Sequence, residues 1–269
     1  MKNIIRTGAG MLALSVILTG ASVVFIKAHA ANVAMASGGS AASEVRPVNA
    51  AVVNVVLHGP VDLILKQANT PEMLIRGDAK LVSRITTTVE GNTLHIGTRG
   101  IYISIGKTEQ TKVELSLPNL EKLQLSGSGD ASIKGFRGNK MEISLNGSGD
   151  VNFDGDFQQV NAGLHGSGNL NLNLGNSDTI DLSINGSGDS VIKGQSRLLN
   201  ARLNGSGDLN AVALKSTQVF VNAVGSSSAK VFASQEARLK LMGSGDVHVF
   251  GNPGKRNVDR MGSGEVRWD

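Results

Sequence analysis

The sequence predicts an all-β protein, specifically a right-handed parallel β-helix (a β-solenoid) built from repeats of about 19 residues. Three observations predict this fold. A Gly-Ser-Gly-Asp motif recurs eight times after residue 121, alternating apolar and polar residues flank it, and aromatic residues are scarce among the 269 residues. Seven Phe, one Tyr and one Trp leave a core of Val, Ile, Leu and Ala. Such a core suits thin stacked sheets better than one thick globular centre.

Residues 1–30 have the three-part layout of a secretory signal peptide. Met1–Arg6 is short and basic, Gly8–Ile26 is an apolar run, and Ala28-His29-Ala30 supplies the small residues that a signal peptidase requires. The apolar run is also close to the roughly twenty residues that span a bilayer, so an uncleaved N-terminal anchor is the alternative. In both cases we expect the rest of the chain to be exported, to the periplasm, the outer membrane or the cell surface.

Residues 31–47 are rich in Ala, Ser and Gly and are predicted to be a flexible linker. The predicted domain covers residues 48–269, and its first part, 48–118, is strand-rich but irregular. We expect this part to cap the first coil, because an open solenoid end would expose core and strand edges. Its predicted strands are Ala51–Leu57, Val61–Lys66, Met73–Arg76, Ile85–Val89, Thr93–Ile96, Ile101–Ile105 and Lys112–Leu117, with a hairpin turn at Glu90-Gly91-Asn92.

Residues 119–269 contain the eight repeats. With few exceptions, such as Ser190 and Arg260, apolar residues lie two and four positions before the first glycine of a motif and four and six positions after it, mostly with polar residues between them. This period of two predicts two short strands per repeat, each with one buried face. The first glycines are separated by 20, 19, 20, 19, 20, 18 and 19 residues. They are Gly127, Gly147, Gly166, Gly186, Gly205, Gly225, Gly243 and Gly262.

Two architectures can use such a unit. If Gly-Ser-Gly were a hairpin turn, the strands would form an antiparallel meander or barrel. The strands are about five residues long, however, and membrane barrels need roughly ten. If each repeat is one coil of a solenoid, equivalent residues stack about 4.8 Å apart and close a thin aliphatic core. Glycine then turns the tight corner of each coil.

A column of mostly acidic residues accompanies the corners. Its members are Asp130, Asp150, Asn169, Asp189, Asp208, Asp246 and Glu265. Asp and Asn bond backbone amides at turns, an interpretation that needs no ion. Stacked carboxylates also repel one another, and Ca²⁺ would relieve that repulsion. Asp130, Asp150, Asp189, Asp208 and Asp246 are therefore candidate calcium ligands, and no other metal or cofactor is expected.

The sixth repeat departs from the motif. Ser227 replaces its second glycine and Ser228 replaces the acid. We therefore expect its corner to be held less well than the others.

Composition excludes several classes of function. The absence of cysteine excludes disulfides, thiolate metal sites and cysteine nucleophiles. The net charge is +4, and residues 1–30 contribute three bases and no acid, so no basic cluster indicates a nucleic-acid partner.

The serine of each motif recurs eight times without one positioned base, so we predict no catalytic residue. A carbohydrate-active enzyme would need carboxylates that break the repeat, and Asp154 and Asp156 are the residues to inspect.

The sequence resembles the bacterial GIN domain family, a domain of unknown function associated with the heads of autotransporter adhesins. The resemblance covers about residues 48–269. It rests on the tandem Gly-Ser-Gly-Asp units after Pro118-Asn119-Leu120, and on Val61–Leu65, Gly91-Asn92-Thr93-Leu94-His95-Ile96 and Lys112–Leu117. It implies an exported β-helical domain with a cell-surface or adhesive role, and it supplies no established catalytic residues.

The function predicted from the sequence is therefore that of an exported, non-enzymatic, adhesin-like or envelope-binding protein. Its expected partner is an envelope component, a surface glycan or a protein, and it contacts a membrane only through residues 8–26 if these are not cleaved. The alternatives are an envelope-anchored structural or signalling module and, third, a carbohydrate-active enzyme.

Overall fold

The computed structural model describes residues 41–100 and 111–269, which form seventeen strands and one short helix, α1 (Ala79–Val82). The strands are β1 (Ala41–Arg46), β2 (Asn54–His58), β3 (Asp62–Gln67), β4 (Glu72–Asp78), β5 (Ile85–Glu90), β6 (Thr93–Thr98), β7 (Lys112–Leu117), β8 (Lys122–Gly127), β9 (Ala131–Gly147), β10 (Val151–Gly166), β11 (Leu170–Gly186), β12 (Ser190–Gly205), β13 (Leu209–Gly225), β14 (Ala229–Gly243), β15 (Val247–Phe250), β16 (Lys255–Gly262) and β17 (Val266–Trp268). The predicted signal peptide or anchor and the predicted strand Ile101–Ile105 lie outside the described residues. Among the described residues, no helix has the length and apolar character needed to span a membrane.

The strands β9 to β14 are consecutive coils of a parallel β-solenoid. Each pairs in parallel with the next at an offset of one repeat, so that Ala131 lies beside Val151 and Val151 beside Leu170. Each strand runs from one Gly-Ser-Gly corner to the next, and a register shift midway marks a second bend, as between Asp154 and Gly155. This pairing confirms the predicted fold class and excludes the antiparallel barrel.

The solenoid has about seven turns rather than eight full coils. The eighth Gly-Ser-Gly corner, at Gly262, is followed only by the three residues of β17. The last long strand, β16, has every residue exposed. Arg260, in register with the buried Leu241, is exposed there, and Trp268 packs partly against the core.

The core consists of aliphatic columns that run through the coils. One column contains Ile143, Ala162, Leu182, Ala201, Val221 and Leu239, each at most 4% exposed. Burial of one large aliphatic side chain contributes about 1.5–3 kcal/mol, so the columns supply the main drive for stacking. Phe136 and Phe157 are the largest fully buried side chains and fill the second bend of early coils.

The solenoid begins earlier than the sequence predicted. β2 pairs with β8 and β3 with β9, both in parallel, so residues 54–67 form a coil beneath the first Gly-Ser-Gly corner. Gly59, with φ of 105°, takes the corner position under Gly127. β6 and β7 pair in parallel with β2 and β3, which extends both sheets by another strand. The predicted boundary at residue 119 is therefore wrong, because stacking continues across it.

Antiparallel strands close this end of the solenoid, as expected for a cap. β5 pairs with β6 through the predicted turn at Gly91, and β4 pairs with β7. β1 then pairs with β4, from Ala41 opposite Asp78 to Arg46 opposite Met73. The linker prediction is wrong for Ala41–Arg46, because backbone pairing to β4 orders a segment whose composition lacks a clear period.

Both glycines of the motif lie where a Cβ atom would overlap the preceding coil, as at Gly186 against the carbonyl oxygen of Gly166, but they differ in backbone conformation. The first has positive φ, for example 134° at Gly186 and 129° at Gly205. The second is required by the approach of the neighbouring coil, because a Cβ atom at Gly188 would overlap the carbonyl oxygen of Gly168. The same overlap recurs between Gly207 and Gly188.

We predict that Gly188→Ala destabilises the protein by about 3 kcal/mol or more, since the coils must move apart to admit the methyl group. The matched control is Gly254→Ala, because a Cβ atom there meets nothing within 4 Å. Urea unfolding monitored by circular dichroism measures both. Equal stability of the two variants would contradict the close-approach account.

Candidate functional site

The corner column forms a hydrogen-bond ladder between coils. The Oδ1 atom of Asp130 accepts from the amide of Asp150 at 2.9 Å, and that of Asp189 accepts from the amide of Asp208 at 2.8 Å. Asp62 is the first rung, accepting from the amide of Asp130 at 3.0 Å. The sequence missed Asp62, because its corner reads Gly59-Pro60-Val61 instead of Gly-Ser-Gly. Each of these side chains thus caps the amide of the equivalent residue in the next coil.

The candidate calcium ligands Asp130, Asp150, Asp189, Asp208 and Asp246 all lie in this ladder, and each presents Oδ1 to the next coil. Within the described parts of the chain, no three His, Asp or Glu side chains are grouped so that they could hold a metal ion. Calcium binding by the column stays a prediction of the sequence.

The sixth corner deviates as its sequence suggests. Ser228 continues the ladder, but its Oγ atom is 3.3 Å from the amide of Asp246. Ser227 takes the position of the second glycine and is only 1% exposed. Its Oγ atom is buried without a hydrogen-bond partner among the described residues. An unsatisfied buried hydroxyl costs about 1–3 kcal/mol, so this corner is a weak point.

We predict that Ser227→Gly is more stable than the control Ser226→Gly by at least about 1 kcal/mol, because only Ser227 buries an unpaired hydroxyl. Both changes add the same backbone freedom to the unfolded chain, and Ser226 is exposed. Thermal unfolding of the two variants gives the comparison. A Ser227→Gly variant no more stable than its control would contradict this assignment.

A second pair of variants tests what the ladder requires. Asp189→Ala should destabilise the protein by about 1 kcal/mol, because the amide of Asp208 loses its acceptor. Asp189→Asn should be within about 0.5 kcal/mol of the parent, because Asn169 already serves as a rung through its amide oxygen. Asp178→Ala, at an exposed position, is the control. If Asn were as harmful as Ala in urea unfolding, the carboxylate charge would be required instead.

The outward side chains of each coil form two surfaces. We call the surface after each Gly-Ser-Gly corner the leading face and the surface before the next corner the trailing face. On the leading face, Asn171 donates to Asn152 at 3.1 Å, and Asn173 donates to Asp154 at 3.2 Å. These side chains satisfy one another between coils.

Asp154 and Asp156, the two carboxylates that the sequence analysis singled out, each form a hydrogen bond to the adjacent coil. Asp154 accepts from Asn173, and Asp156 accepts from the backbone amide of Asn176 at 3.2 Å. Both carboxylates thus bond the adjacent coil. The serine of each motif is exposed in all eight repeats and lies in the same corner position each time.

The trailing face carries an open groove of about 390 Å³ across β12, β13, β14 and β16. Its outward side chains form two columns in register along the solenoid axis. One column is Asn200, Phe220, Arg238 and Asn257, and the other is Arg202, Asn222, Lys240 and Asp259. We call this set the cationic groove. Four rungs span about 14 Å at the usual strand spacing.

Arg238 is held in place at the centre of the groove. Its Nε atom donates to Oε1 of Glu236 at 2.6 Å, and Glu236 is only 9% exposed. Gln218 donates to the other oxygen of Glu236 at 3.3 Å. The guanidinium lies 5.0 Å from the ring centre of Phe220, a cation–π geometry. The Arg238 side chain is still 62% exposed, so the held guanidinium faces solvent.

Arg202, Asn222 and Lys240 are among the polar residues that lie between the apolar positions of the repeat, but the sequence analysis identified no site there. The sequence contained a partial signal, because three of the eight outward groove positions are basic, namely Arg202, Arg238 and Lys240. Glu236, Arg238 and Phe220 lie beyond the regular motif positions, near the second bend. These three residues come together because of the register between neighbouring strands. That register depends on how the second bend accommodates repeats of 18 to 20 residues.

A stacked-coil domain with open outer faces belongs to the solenoid class, whose extended surfaces serve binding. The chain belongs to the family described as "Putative auto-transporter adhesin, head GIN domain", whose model matches residues 53–253. The resemblance found in the sequence is thereby confirmed. A search of curated proteins found none that matches this chain.

Several crystal structures share the fold. A "putative adhesin" from Parabacteroides distasonis has a TM-score of 0.77 and 21% identity, covering 86% of this chain and 98% of that chain. A "putative adhesin" from Parabacteroides merdae has a TM-score of 0.75 and 20% identity, covering 86% and 97%. A "Putative lipid binding protein" from P. distasonis has a TM-score of 0.66 and 24% identity, with the same coverage. At these identities the likeness shows the fold alone.

Proposed function

We propose that this protein is an exported, non-enzymatic, adhesin-like protein that binds a component of the cell envelope or of another surface. The observation that carries the proposal is the cationic groove, where charged and aromatic side chains face solvent on a rigid parallel sheet. Membership of the adhesin head family supports the same class of function. The secretory layout of residues 1–30 supports export.

The side chains that build the solenoid support a binding role over catalysis. Corner residues bond the next coil, and leading-face amides bond each other. Asp154 and Asp156 are engaged in the same way. Groove residues, by contrast, lie on the outer surface and vary from coil to coil, which is how repeat proteins build specific binding surfaces.

The test measures binding of the full chain, fluorescently labelled, to whole cells and to glycan arrays. We expect saturable binding to at least one surface, abolished by heat unfolding of the protein. Uniformly absent binding would overturn the adhesin-like proposal.

Fractionation of the producing cell separates the remaining alternative. Recovery in the periplasm, outer membrane or medium is expected for the exported binding protein. Retention in the inner membrane through residues 8–26 would instead favour an envelope-anchored structural or signalling module.

A further inference from the structure

The cations of the cationic groove outnumber the acids that line it. Arg202, Arg238 and Lys240 line the groove together with one acid, Asp259, which gives a formal charge of +2. Of these three groove cations, only Arg238, through its Nε atom, has a carboxylate partner among residues 41–100 and 111–269. By comparison, Lys122 in another groove is paired with Glu142 at 2.7 Å. The unmatched charge indicates an anionic ligand.

Because two of the three groove cations are arginines, we expect the ligand to be an anion with planar or clustered oxygen atoms. Arginine presents a rigid fork that pairs with a carboxylate through two parallel hydrogen bonds. Glu236 fixes Arg238 through Nε and orients its guanidinium over Phe220 before any ligand arrives. A group held in advance loses less conformational entropy on binding.

The neighbouring side chains fit sugar units. Asn222 and Asn257 are exposed amides that can donate to and accept from hydroxyl groups. Met242 and Met261 form the adjacent column and are 39% and 65% exposed. They offer apolar contact for the C–H faces of sugar rings. The groove and the adjacent methionine column therefore place charged, amide and apolar side chains next to one another on the same face.

The shape of the groove favours a linear polymer. Its columns run along the solenoid axis, so side chains on successive coils lie about 4.8 Å apart. The backbones of β12, β13, β14 and β16 are paired with one another along the groove. A peptide therefore cannot be added here as an extra strand, which is the usual way an extended peptide binds a sheet.

These observations lead to one ligand class. We infer that the cationic groove binds a linear polysaccharide bearing carboxylate groups, such as a polyuronate. The inference rests on the proposed function and names the ligand chemistry for it. Arg202, Arg238 and Lys240 pair with carboxylates, and the asparagines bond ring hydroxyls.

The test compares two triple variants of the full chain by calorimetric titration with polygalacturonate fragments at constant salt. The groove variant is R202Q/R238Q/K240Q. The control is K134Q/K193Q/K230Q, which removes three exposed cations of the leading face, two of which, Lys134 and Lys193, line another groove there. Both lower the net charge by the same amount, so long-range attraction is matched. We expect the groove variant to bind at least tenfold more weakly and the control to stay within twofold of the parent.

Other probes decide the ligand class. Neutral dextran, polyglutamate and phosphatidylglycerol vesicles should bind at least tenfold more weakly than polygalacturonate. Equal losses in the two triple variants would overturn the assigned site. Polyglutamate or vesicles binding as tightly as polygalacturonate would overturn the glycan class in favour of an acidic protein or a lipid surface. Binding to cells without binding to polygalacturonate would contradict this inference but leave the proposed function intact. Absence of binding to any surface would contradict the proposed function as well.

Discussion

The close approach of peptide groups at the Gly-Ser-Gly corner sets the geometry of the whole solenoid. A carbonyl oxygen of one coil occupies the space that a side chain of the next coil would need. Coils can therefore stack at sheet spacing along that edge, where the serine amide donates to the preceding first glycine, as from Ser187 to Gly166 at 3.0 Å. The register set at this edge also aligns the inward aliphatic columns and the outward columns of successive coils.

Much of the fold could be predicted because the repeat is encoded locally. Glycine spacing and alternation suffice to predict parallel coils, and the turn at Gly91 follows from its short loop. The coil at Gly59 was missed because Pro60 and Val61 replace the motif while keeping its geometry. β1 was missed because its order comes from pairing with β4, a contact between residues about thirty positions apart. Local composition does not predict such long-range pairing.

The candidate site was less predictable for a related reason. The residue types at inward positions and corners recur, so the structure of one repeat predicts that of the next. Outward positions do not, and the meeting of Phe220 with Arg238 depends on register around the second bend. Glu236 also breaks the expectation that charged residues lie outside, since it is nearly buried and anchors Arg238. The repetitive part of the sequence thus builds the solenoid, and its irregular positions build the groove.

Native-state hydrogen exchange of corner amides tests the central claim most directly. If corner stacking holds the coils together, the amides of Asp150, Asn169 and Asp208 exchange as slowly as core strand amides, although they lie at a solvent-facing turn. Asp246, bonded at 3.3 Å to Ser228 in the weakened sixth corner, exchanges faster. Rapid exchange of all corner amides, at rates typical of exposed loops, would contradict the account.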